Sequence, residues 1–152
     1  MSVNSVRAYF EEKGLSFKVR EFEASTETVQ LAAQALGVEP ALIAKTLAYK
    51  VKDHGILIVT KGDARIDNKK FKQQFGLKAK MMSPEEVLEA TGHPVGGVCP
   101  FGLTQDMDIY LDTSLKDFEK VYPAAGSRNS CIEISPNEFF RVTRAQWVDV
   151  CK

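Results

Sequence analysis

Apolar side chains at Val3, Val6 and Phe10, with Arg7, Glu11 and Glu12 between them, keep the spacing of a helix with one buried face, and Gly14 stands where a helix commonly stops. The pattern predicts a helix over about residues 2 to 13. The period then falls to two. Phe17-Lys18-Val19-Arg20-Glu21-Phe22 alternates apolar with charged residues and reads as a strand with one wet face. Helical spacing returns at Val29-Gln30-Leu31-Ala32-Ala33-Gln34-Ala35-Leu36, with Thr28 as N-cap and Gly37 as the stop, and Pro40 opens a short helical piece through Ile43.

Residues 44 to 51 and 56 to 60, joined by a turn at His54-Gly55, read as a hairpin. Its second strand is apolar on both faces, which predicts a central place in the sheet. Residues 68 to 75 form a helical pattern with Phe71 and Phe75 four apart on the buried side. Ser83-Pro84-Glu85-Glu86 is the clearest helix start: serine caps, proline occupies the first turn, and Glu86 closes a capping box. Val87, Leu88 and Ala90 are expected to face inward, with Gly92 ending the helix. Later elements are a strand at 108 to 112, a short amphipathic piece at 114 to 121, a glycine-containing turn at 124 to 129 and a strand at 131 to 134. Ser135-Pro136-Asn137-Glu138 then starts a second capped helix, and a strand at 147 to 150 closes the sheet. Strands and helices mix without a strict βαβ rhythm, so the fold class expected is α+β, with a curved mixed, largely antiparallel sheet and flanking helices in a single domain spanning residues 1–152.

Composition narrows the function classes. Twenty basic residues balance twenty acidic ones, so any nucleic-acid contact must be local. No apolar run reaches membrane-spanning length and the N-terminus lacks a signal-peptide pattern, which leads us to expect a cytoplasmic protein without a membrane partner. Three widely spaced cysteines and two histidines suggest neither a disulfide framework nor a metal site, so no metal and no cofactor are expected. The one basic stretch lies at residues 61 to 80, with seven basic side chains against two acidic ones. It is either a solvated helix face or a phosphate-contacting surface, for which Arg65, Lys69 and Lys70 are the candidates.

Two features point to chemistry. Gly92-His93-Pro94-Val95-Gly96-Gly97-Val98-Cys99-Pro100-Phe101-Gly102 holds four glycines and two prolines yet is apolar, unlike a surface linker. Adjacent Gly96 and Gly97 let the backbone approach a ligand closely, and Pro100 fixes its own φ and extends Cys99. Such a loop can aim main-chain N–H groups at a carbonyl oxygen or an oxyanion, or it can be a tight connection. Lys45 lies where a helical pattern gives way to a strand, a place from which a side chain can reach a cavity mouth or simply solvent. Cys99 could be a nucleophile with His93 as its base, but it sits between Val98 and Pro100, where a small apolar wall residue belongs.

Three motifs taken together resemble the YbaK/ProX family, relatives of the editing insertion domain of bacterial prolyl-tRNA synthetases. They are Thr28-Val29-x-x-Ala32-Ala33-x-x-Leu36-Gly37-Val38-x-Pro40-x-x-Ile43-Ala44-Lys45-Thr46-Leu47, Gly62-Asp63-x-Arg65-x-Asp67-x-Lys69-Lys70, and Gly96-Gly97-Val98-Cys99-Pro100-Phe101-Gly102. The resemblance implies a curved pseudo-barrel sheet and a trans-editing aminoacyl-tRNA deacylase that hydrolyses the ester of a mischarged tRNA without a metal. It assigns substrate positioning to Lys45 and orientation of the ester carbonyl to the N–H groups of the Gly96-to-Pro100 loop, with Gly96, Gly97 and Pro100 setting the loop's geometry. It places Thr46, His93, Val98, Cys99, Phe101, Gly126 and Ser127 beside the substrate, with Val98 and Cys99 setting pocket size. The same resemblance implies a synthetase as a second partner, and the alternative function is a non-catalytic tRNA- or synthetase-binding module.

Overall fold

The computed structural model describes residues 2–152. In chain order the elements are α1 (Ser2–Glu12), β1 (Arg20–Glu21), α2 (Val29–Leu36), β2 (Ile43–Val51), β3 (His54–Lys61), α3 (Asn68–Phe75) and α4 (Pro84–Thr91). They continue with β4 (Asp108–Asp112), β5 (Tyr122–Pro123), β6 (Ser130–Cys131), α5 (Pro136–Thr143) and β7 (Gln146–Val148). Short 3-10 turns at Pro40–Leu42 and Thr113–Asp117 lead into β2 and out of β4.

The main sheet runs β5-β2-β3-β4-β7 and curves into a half-barrel. Its centre is β3, where Ile56, Leu57, Ile58, Val59 and Thr60 are all at most 1% exposed, as the two-faced apolar run requires. The sheet is mixed, with its antiparallel pairing confined to the β2–β3 hairpin. The β2–β5, β3–β4 and β4–β7 contacts are parallel, because each returning strand arrives by a long crossover rather than a tight turn. A separate antiparallel pair joins β1 to β6.

Several local expectations need correction. The hairpin turn is Lys52-Asp53, with Lys52 in the left-handed region at φ 56, and His54 and Gly55 already belong to β3. The alternating segment at 17 to 22 contributes only Arg20–Glu21 as strand, because Phe17 and Val19 are drawn onto the core instead of a neighbour's ladder. Leu88 is 53% exposed, on the outer side of α4, whereas Val87 and Ala90 are buried. The strand expected at 131 to 134 is reduced to Ser130–Cys131 plus a single bridge between Ile134 and Val121. At the end of the chain the closing strand is Gln146–Val148, and Val150 turns away to accept the Asp67 N–H at 2.7 Å.

Two anchors position the long loop after α4. At its start, the Ser83 hydroxyl accepts the Glu86 N–H and the Glu86 carboxylate accepts the Ser83 N–H, completing the predicted capping box. Glu86 also pairs with Lys50 of β2, which together with the capping contacts holds its carboxyl down at about 2. Past the end of α4, Gly92 takes φ 77, a left-handed conformation that a side chain would strain. At the far end, Phe101 is fully buried between Phe10 and Phe139, at ring separations of 4.9 and 5.5 Å. The loop is therefore held between a capped helix and the aromatic core.

Candidate active site

Beside the outer edge of β2 lies a cavity of about 330 Å³. The start of α2 forms one wall through Thr26, Glu27, Thr28, Val29 and Ala32; Met81, Met82, Pro84 and Val87 form another; Val95, Gly96 and Val98 close it. Residues 43–48 of β2 form its floor. Thr28 explains how α2 comes to point there: its hydroxyl accepts the Leu31 N–H at 3.1 Å and so fixes where the helix begins. The lining is mainly methyl and methylene groups, with hydroxyls at Thr26 and Thr46 that are buried without a hydrogen-bond partner among the described residues. The Thr26 hydroxyl lies near the Cys131 thiol, too weak an acceptor to satisfy it.

Lys45, Thr46, Gly96 and Val98 meet at this cavity, although the first two and the last two are about fifty positions apart. The Lys45 ammonium donates to the main-chain oxygen of Ala64, and burial pushes its pKa below the ordinary lysine value. Gly96 has φ 94, and a Cβ there would lie 2.8 Å from Glu27 Cβ, so only glycine lets the loop close against the start of α2.

The other expected site residues stand one layer back. Gly97 donates to the Pro94 oxygen and accepts the Gly126 N–H, both at 2.9 Å, so its amide serves the loop and not the cavity. A Cβ on Gly97 would sit 2.6 Å from the Ser127 carbonyl carbon, which makes Gly97 a packing glycine. Ser127 is absorbed in its own turn, its hydroxyl 2.8 Å from Asn129 Oδ1 and 2.7 Å from Ser130 Oγ. Pro100, Cys99 and Phe101 are buried behind the wall and do not line the cavity.

Two of these placements change the chemistry that was expected. Cys99 faces the main core, so pocket size on this side is set by Val98, with Val95 and Met82 as walls the sequence did not single out. Burial pushes the Cys99 thiol up to about 12, which leaves no thiolate at neutral pH. His93 is 1% exposed rather than an imidazole at the mouth. Its Nε2–H donates to the Phe101 oxygen at 2.7 Å, its Nδ1 has no partner among the described residues, and burial lowers its pKa.

The basic stretch is partly neutralised by the fold. Lys61 lies near Asp63 and Asp117, and Lys70 donates to Asp149 and to the Cys151 oxygen. Arg65 opens onto a second cavity that also contains Asp63, Asp112, Asp117 and Asp149. Exposed Lys69, Lys72, Lys78 and Lys80 have no ion pair among the described residues, so the free positive charge lies along α3 and the segment after it. The same residues contain no group of three or more histidine, cysteine, aspartate or glutamate side chains arranged to hold a metal, and no helix long and apolar enough to cross a membrane.

Comparison with known proteins adds the family. Residues 23–142 match the aminoacyl-tRNA editing domain. The chain belongs to that family. It is 53% identical to the uncharacterized protein YwhH of Bacillus subtilis, over 100% of this chain and 98% of that protein. It is 26% identical to EbsC of Enterococcus faecalis, a candidate Cys-tRNA(Pro)/Cys-tRNA(Cys) deacylase, over 92% of this chain and 88% of the relative. Against the proline–tRNA ligase of Bacillus pumilus it is 31% identical over 82% of this chain but only 23% of the ligase, so the editing domain aligns with one part of a larger enzyme. A crystal structure described as a candidate trans-editing enzyme for prolyl tRNA synthetase superposes with a TM-score of 0.92 at 34% identity, covering 99% and 97% of the two chains. The fold and the resemblance read from the motifs agree with this membership.

Proposed function

We propose that this protein is a trans-editing aminoacyl-tRNA deacylase: it takes the 3′ end of a mischarged tRNA and hydrolyses the ester to the wrong amino acid. The observation that carries this reading is the convergence of Lys45 with the 96–98 loop at one mainly apolar cavity, in a chain of the aminoacyl-tRNA editing family.

An aminoacyl ester is already activated, so the site has only to orient it, admit water and support the developing oxyanion. Water adds to the carbonyl carbon, the ribose oxygen leaves with a proton, and the free amino acid and intact tRNA are released. Lys45 supplies positive charge at the cavity, and Gly96 and Val98 are the residues of the Gly96-to-Pro100 loop that line it and carry an N–H. Gly97 and Pro100 hold that loop in shape, while Val98, Val95 and Met82 bound the amino-acid side chain. The exposed lysines Lys69, Lys72, Lys78 and Lys80 are the groups available to tRNA phosphates, and their contribution falls as salt rises.

A panel of mischarged tRNAs tests the reading. At least one should lose its amino acid faster with the protein than without, and Lys45→Ala should remove the effect. A panel with no responder, or a Lys45→Ala variant as fast as wild type, would refute it. Salt-dependent tRNA binding with no turnover would instead support the binding-module alternative.

A further inference from the structure

The ladder of β2 has a gap at Thr46 that opens into the cavity. In an antiparallel pair, main-chain groups alternate between the partner strand and the opposite edge. Val51 and His54 close the two-residue turn of the hairpin, so the odd-numbered residues of β2 bond to β3 and the even-numbered ones face outward. Two bonds on the outer edge show the same parity: Lys50 N–H donates to the Lys80 oxygen at 2.8 Å, and Met82 N–H donates to the Ala48 oxygen at 3.0 Å. At the other end of the edge, β5 pairs in parallel with Ile43 and Ala44. Between the two covering segments lies Thr46, whose N–H and C=O face outward with no partner among the described residues. Thr46 is also part of the cavity floor.

Main-chain groups left unpaired on a half-covered strand edge are a template for one more backbone. An aminoacyl ester carries one residue's worth of it, an α-ammonium that donates and a carbonyl that accepts. That is the complement of a single residue in a hydrogen-bonded antiparallel pair. We propose that the aminoacyl group docks on β2 as a one-residue extension of the sheet, its ester carbonyl oxygen accepting the Thr46 N–H and its ammonium donating to the Thr46 C=O. The inference rests on the deacylase reading and adds to it a main-chain oxyanion donor outside the 96–98 loop. In this pose the amino-acid side chain projects on the face that carries Ala44, Thr46 and Ala48, where the two alanines leave it room.

The test separates the main chain of Thr46 from its side chain. Exchanging Thr46 for its α-hydroxy acid replaces the amide by an ester, deleting the N–H and weakening the Lys45 carbonyl as an acceptor, while Thr46→Val keeps the amide and deletes the hydroxyl. On the substrate found in the panel, the amide-to-ester protein should lose about 100-fold in kcat with KM within about threefold, the response to losing one oxyanion donor. Thr46→Val should lose less in kcat than the ester variant, at most about tenfold, since it removes at most one side-chain hydrogen bond. N-acetylation of the aminoacyl-tRNA should cost at least about tenfold in kcat/KM, because it removes the ammonium and its hydrogen bonds. The melting temperature of the ester variant should stay within about 5 °C of wild type, since the deleted N–H makes no ladder bond and the weakened Lys45 carbonyl keeps its place opposite Thr60. An ester variant as fast as wild type, an N-acetylated substrate hydrolysed equally well, or a melting temperature lowered by more than about 5 °C would each overturn the edge pairing. Absence of wild-type turnover on every substrate would overturn both this pairing and the deacylase reading, whereas those three results leave the latter standing.

Discussion

The side-chain ammonium of Lys45 donates to the main-chain oxygen of Ala64, a bond made possible by the C-terminal segment. Ile66 bridges to Cys151, Asp67 N–H donates to the Val150 oxygen at 2.7 Å, and Lys152 N–H donates to the Arg65 oxygen at 3.0 Å. The last residues of the chain thereby fix the stretch that carries Ala64, and with it the resting direction of Lys45.

Burial lowers the pKa of Lys45, so the unfolded chain holds that proton more tightly than the folded one. The penalty is complete below the folded value and fades as pH climbs toward the ordinary lysine value of about 10.4. Wild type should therefore gain stability on Lys45→Met as pH rises from neutral, so that the gap in melting temperature shifts in favour of wild type. Differential scanning fluorimetry of both proteins across that range checks the sign, and a gap that does not move contradicts it.

Gly97→Ala should disturb the loop by packing alone, because its Cβ would meet Ser127 backbone at 2.6 Å and neither segment can yield locally. We expect a stability loss of about 1–3 kcal/mol, typical of overpacking, together with reduced deacylation. Urea unfolding and turnover on the panel substrate measure the two effects, and an unperturbed variant would show the contact to be soft.

The thiols of Cys99, Cys131 and Cys151 are buried, and desolvation pushes them to about 12, 11 and 12. Native protein at pH 8 should give no rapid reaction with a disulfide reagent, and denatured protein should give three equivalents. Cys99→Ala should keep turnover within about threefold while costing roughly 1 kcal/mol of core packing. A rapidly labelled thiol whose blocking stops turnover would reopen a nucleophilic mechanism.

His93 is buried with its pKa lowered, so its contribution to stability is complete above about 6.5 and is lost as pH falls through that value toward the folded one. Between pH 7 and 5 wild type should lose up to about 1.4 kcal/mol per pH unit that His93→Gln does not lose. Chemical unfolding at three pH values decides this, and parallel slopes for the two proteins would count against it.

Local chemistry made much of the fold legible. Thr28, Ser83 and Ser135 cap helices where their spacing said they would, because an N-cap is decided within four residues. The apolar run of β3 announced its central place, because a strand buried on both faces cannot alternate. Failures came where a distant partner decided. Phe17 and Val19 alternate correctly for a strand yet pack on the core, and the parallel contacts of β4, β5 and β7 depend on crossovers that no local pattern records.

The candidate site divides in the same way. The sequence by itself determined that Lys45 heads a strand, that residues 92 to 102 form a shaped apolar loop, and that their motifs belong together. It could not assign sides. Cys99, Val98 and Gly97 are neighbours in one loop, yet one faces the core, one the cavity and one the Ser127 turn. Only the tertiary structure decided this, because the direction of each group in an irregular loop is set by what it packs against. The same holds for the unpaired edge of Thr46, which exists because β5 stops at Pro123 and the neighbouring segment begins to pair only at Met82. A gap in a ladder belongs to three segments at once, so no single stretch of sequence can announce it.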